Sequence, residues 1–80
     1  MSSDDIQKRL RKTIAAVFEL EESTLPPNPT PQSIERWDSL GHLQLIIAVE
    51  EEFNVRFMME RIPQLTSLEL LSSEISSAAR

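Results

Sequence analysis

The chain has no cysteine, which excludes a disulfide framework, a thiolate metal site and a thiol nucleophile of its own. Any thiol chemistry must arrive on a cofactor. Long apolar runs are missing as well: none exceeds the length of Leu45 to Val49, which is far too short to span a bilayer. The opening Met1-Ser2-Ser3-Asp4-Asp5 is acidic rather than basic and then apolar, so a cytoplasmic address is the expectation. Basic residues are in the minority, with 8 Lys plus Arg against 13 Asp plus Glu and a net charge of −5. Such a balance repels phosphate backbones and anionic lipid, so neither nucleic acid nor membrane is an expected partner, and basic protein surfaces are. There is a single histidine, and no GxSxG, GxxxxGK[ST], HExxH or acidic calcium-loop pattern. The common catalytic constellations are therefore absent, and an enzyme is not expected.

What is present is enough to fold. Of 80 residues, 40% are hydrophobic and 26% charged, the balance of one small globular domain without room for a separate catalytic one. Ser3 can cap a first helix, with Asp4 and Asp5 in its first turn and apolar residues at Ile6, Leu10, Ile14, Val17 and Phe18. The pattern predicts helix 1 over about residues 3–20. Pro26, Pro27, Pro29 and Pro31 then disfavour helix, leaving a long loop over 21–37 with Leu25, Ile34 and Trp37 as its anchors to the core. Asp38 is placed to cap helix 2, about 39–53, whose apolar residues cover most of its circumference. That distribution predicts a central helix with neighbours on more than one side. Asn54 is a good stop signal, and a one-turn helix 3 is predicted at about 58–62, ended by Pro63. Thr66-Ser67-Leu68-Glu69 has the form of a capping box, and helix 4 follows over about 67–78, fraying towards Arg80. The sum is an all-α fold, a small four-helix bundle of three main helices and one short one.

One segment carries chemical interest: Trp37-Asp38-Ser39-Leu40-Gly41-His42-Leu43 at the start of helix 2. A serine there lies among backbone N–H groups that no helical carbonyl satisfies, and the helix dipole favours a phosphate ester at that end. Gly41 is expected to leave space beside the hydroxyl. Glu50, Glu51 and Glu52 crowd the opposite end, where the dipole is already negative. They are either a solvated face or a patch for basic partners, and at about 100° per residue no more than two of them share one patch. His42 lies one turn after Ser39, either exposed and stacked on Trp37 or in reach of a phosphate on the serine. The basic run Lys8, Arg9, Arg11 and Lys12 reads as the solvated face of helix 1.

Taken together, Asp38-Ser39-Leu40, the Glu50-Glu51-Glu52-Phe53 ending of helix 2 and Thr66-Ser67 before the last helix make the chain resemble an acyl carrier protein over essentially its whole length. The resemblance implies that Ser39 receives 4′-phosphopantetheine from coenzyme A through a separate phosphopantetheinyl transferase, with Asp38, Leu40 and His42 flanking the attachment. It also implies recognition of partners through Glu50 and Glu51, charging by an acyl- or aminoacyl-loading ligase, delivery to downstream transferases, and a monomeric state. Gly41 and Gln44 stand where many fatty-acid carriers have acidic residues, and Ile62 and Leu71 where they often have small alanines beside an acyl tunnel. Short or polar cargo in a specialised biosynthetic pathway is therefore the expectation. Two alternatives stand beside it: an aminoacyl or peptidyl carrier charged by an adenylating ligase, and an unmodified acidic helical interaction domain.

Overall fold

The computed structural model describes residues 3–78. Among these the chain is all-helical, with three α-helices, α1 (Ser3–Phe18), α2 (Ser39–Phe53) and α3 (Leu68–Ala78), and two single 3₁₀ turns at Glu22–Thr24 and Ile62–Gln64. The Ser3 side-chain cap and the fraying at Ala79 and Arg80 lie outside the described residues. In α1 the recurrence of Ile6, Leu10, Ile14 and Phe18 makes one buried face. The helix ends two residues before the predicted Leu20. Glu19 turns into the left-handed region at φ 57°, and the Leu20 N–H donates back to the Ala15 carbonyl at 2.8 Å. This is the usual way a helix reverses its exit, here made by a residue other than glycine.

Both α2 and α3 pack on α1, so α1 is the central element and the expectation that helix 2 would be is corrected. From α2, Leu45, Ile46, Val49 and Phe53 enter the core, whereas Leu40, Leu43 and Ile47 stay 66%, 53% and 58% exposed. Three helices cannot surround one of their own number in a domain this small, and the i, i+3, i+7 row of α2 is what remains uncovered.

The Pro-rich loop is sewn to both neighbouring helices. Prolines have no N–H, so the loop is short of donors for its own carbonyls, and others must come from elsewhere. The Arg11 guanidinium supplies them to Leu25 and Pro26, at 3.1 and 2.8 Å. From α3, the Leu68 N–H donates to the Pro29 carbonyl at 3.2 Å and the Glu69 N–H to Asn28 Oδ1 at 3.0 Å. Arg11 is therefore half-buried and structural rather than part of a solvated face. Arg9 likewise pairs with Glu52 at 3.0 Å and lies over the Phe53 ring, leaving Lys8 and Lys12 as the exposed cations of that run. Leu25, Ile34 and Trp37 are all buried, as anchors of the loop should be.

Between α2 and α3 the predicted one-turn helix at 58–62 does not form as an α-helix. Residues 59–61 are a turn, and the 3₁₀ turn lies at Ile62–Gln64. Pro63 begins that turn rather than ending a preceding one, because the first turn of a helix needs no N–H from it. The cap of α3 is Ser67, whose Oγ accepts from the Leu70 N–H at 3.1 Å, and not Thr66 as the capping-box pattern suggested. The partner for the Glu69 N–H comes from Asn28, across the molecule.

Candidate functional site

The start of α2 is held firmly. Asp38 caps it, its Oδ1 accepting from the Gly41 N–H at 2.8 Å, while the His42 N–H donates to the Asp38 carbonyl at 2.8 Å. Ser39 is the first helical residue and its side chain is exposed, next to the equally exposed Leu40. Its hydroxyl is thus open to solvent at the positive end of a helix dipole, where the N–H groups of the first turn point outward.

Gly41 has a different role from the one its spacing suggested. It is buried, and a Cβ placed on it would lie 2.2 Å from the Arg36 carbonyl oxygen and 3.0 Å from Phe18 Cε1. The residue faces inward. It allows the N-terminus of α2 to press against the end of the Pro-rich loop, and it clears no space beside the serine.

His42 is half-buried, not exposed, and does not stack on Trp37. The two ring planes lie within 16° of each other but their centroids are 6.2 Å apart, and the rings meet edge to edge through a hydrogen bond from Trp37 Nε1–H to His42 Nδ1 at 2.9 Å. The other nitrogen, Nε2, is 2.7 Å from the Ile62 carbonyl. Trp37 is 3% exposed and packs on Phe18, with ring centroids 5.7 Å apart.

Beside Ser39 runs an open groove of about 570 Å³. One wall is Ser39 and Leu43 of α2, the other Ile62, Pro63 and Thr66, and Trp37 and His42 also line it. Ile62 is half-buried, packing against the core while also bordering this groove, whereas Leu71 is fully buried. Nothing local in the sequence marks the groove, because its second wall comes from a segment some twenty residues further along, in contact with His42.

At the far end of α2 the three glutamates separate. The Glu50 carboxylate accepts from the Phe57 N–H at 2.9 Å and pins the chain after Asn54, Glu52 pairs with Arg9, and Glu51 is exposed. Among the described residues there is no helix long and apolar enough to cross a membrane, and no cluster of side chains suited to a metal ion. Neither a scan against protein-family models nor a search of curated proteins finds a match to this chain.

Proposed function

We propose that this chain is a carrier protein of the acyl carrier type, holding a 4′-phosphopantetheine arm on Ser39, and not itself an enzyme. The observation that carries the reading is the exposed Ser39 hydroxyl on the first residue of a capped helix, at the lip of an apolar groove. The residues present suit the group. A phosphodiester at Ser39 meets the positive end of α2, and the groove offers an apolar surface to the arm. When bound, the arm supplies a terminal thiol that carries acyl groups as thioesters, the chemistry a chain without cysteine cannot provide. Asp38 keeps the attachment residue at a fixed point on the helix, and Leu40 stands beside it on the surface.

The partners this reading requires are a phosphopantetheinyl transferase using coenzyme A, a loading ligase and downstream transferases in the cytoplasm. The exposed row Leu40, Leu43 and Ile47, with Glu51 one turn beyond, is the surface of α2 open to them. The same row also supports an unmodified interaction domain, and modification of Ser39 separates the two readings. Incubation with a broad-specificity phosphopantetheinyl transferase and coenzyme A is expected to add one arm by mass spectrometry, and none to Ser39→Ala. The variant should keep wild-type stability within about 0.5 kcal/mol, as exposed positions usually do. Labelling that persists in the alanine variant would sink the assignment of Ser39.

A further inference from the structure

His42 is bound through both ring nitrogens. Its two partners specify a single protonation state. An indole N–H only donates, so Nδ1 must be bare. A backbone carbonyl only accepts, so the ring proton sits on Nε2 and points at Ile62. One neutral tautomer satisfies both bonds at once.

The Ile62–Gln64 turn rests on the core through Ile62 and the buried Leu65, and the bridge adds a directed polar tie at the side facing Ser39. At one end is Trp37, immobilised in the core against Phe18. At the other is the Ile62 carbonyl, which also accepts from the Leu65 N–H at 3.2 Å and so closes the Ile62–Gln64 turn. The segment's other side-chain tie to a helix, Arg61 to Glu74 at 2.8 Å, has a half-exposed arginine and is the weaker restraint. We propose that His42 is a positioning residue, which fixes the Ile62–Gln64 turn to α2 and thereby sets the distance between the two walls of the groove beside Ser39. The bridge is independent of the carrier reading, whereas what the groove receives rests on that reading.

Three substitutions divide the bridge. In His42→Asn the amide oxygen replaces Nδ1 and keeps the indole bond alone. In His42→Gln the amide nitrogen replaces Nε2 and keeps the Ile62 bond alone, and His42→Phe keeps neither. Hydrogen exchange in the unloaded protein is the first readout. The Leu65 amide, which reports on the turn, should exchange about three- to tenfold faster in the Asn and Phe variants, the factor expected of one hydrogen bond of ordinary net strength. It should stay near wild type in the Gln variant, with Ile46 and Val49 amides serving as the measure of global stability. The second readout is the change in amide chemical shifts of Leu43 and Thr66 when the phosphopantetheine arm is loaded from coenzyme A. Wild type and the Gln variant should share one pattern and the Asn and Phe variants another. If Leu65 exchange moves no more than that of the core, or if all four proteins show the same loading shifts, His42 does not set the groove. A wild-type protein that accepts no arm strikes the carrier reading instead, and leaves the exchange result to judge the bridge.

Discussion

The first turn of α2 contains two residues that are small for opposite reasons. Ser39 is small and outward, so removing its hydroxyl leaves packing untouched. Gly41 is small and inward. Alanine there gains about 1 kcal/mol of helix propensity, but its methyl must displace a backbone oxygen 2.2 Å away, and backbone yields less readily than a side-chain tip. The collision should win by about 1–2 kcal/mol, lowering the melting midpoint of a domain this size by about 4–8 °C per kcal/mol. Thermal denaturation followed by circular dichroism checks this, and a Gly41→Ala protein as stable as wild type would show that the Arg36 carbonyl moves aside freely. Sequence alone placed Ser39 at a helix start correctly because Asp38 announces the cap. It could not show which way Gly41 faces, since the atom that fills the space beside it belongs to a loop residue whose course no local pattern describes.

At the level of elements, what was legible depended on whether a boundary residue acts locally. The span Ser39–Phe53 was readable from its two ends: Asp38 caps with its own side chain, and Asn54 adopts the left-handed conformation at φ 54° to which its residue type is suited. The end of α1 was not, because Glu19 takes the same conformation without any compositional sign. The Arg11 and Asn28 contacts that secure the Pro-rich loop, and the Glu50 contact to Phe57, are tertiary pairings invisible to periodicity. Glu50 matters for the proposed partner surface of α2. Reversing its charge removes the acceptor of the part-buried Phe57 N–H, so Glu50→Lys should lose about 1–2 kcal/mol of stability. Glu51→Lys alters charge alone and should leave the melting midpoint in place while slowing loading by the transferase. The slowing should shrink as salt rises, since exposed charges are screened beyond about 10 Å at 0.1 M ionic strength. Loading rates indifferent to Glu51→Lys at low salt would reduce the glutamate run to a solvated face.

On the proposed carrier reading, the whole molecule sets what a carried group can do. Its single core is filled where the helices meet: Leu45, Val49, Leu71 and Ile75 are fully buried, and the groove beside Ser39 lies outside them. A long acyl chain has two choices. Entering the core gains about 0.8 kcal/mol for each methylene buried, but it must first separate packed side chains, and overpacking of this kind costs about 1–3 kcal/mol. A domain this small has little stability to lose in doing so. The groove asks for no such rearrangement, yet being open it shields a chain only in part. Short groups should therefore lie along Leu43, Ile62 and Thr66, and lengthening the chain should add little. Attaching a series of acyl chains to the arm and recording melting curves and amide shifts provides the test. The expected result is a melting midpoint nearly independent of chain length, with shifts confined to the groove. Long chains that raise the midpoint step by step, with shifts spreading through Ile46, Val49 and Leu71, would mean that the helices part to admit them, and that fatty acyl groups are the natural cargo.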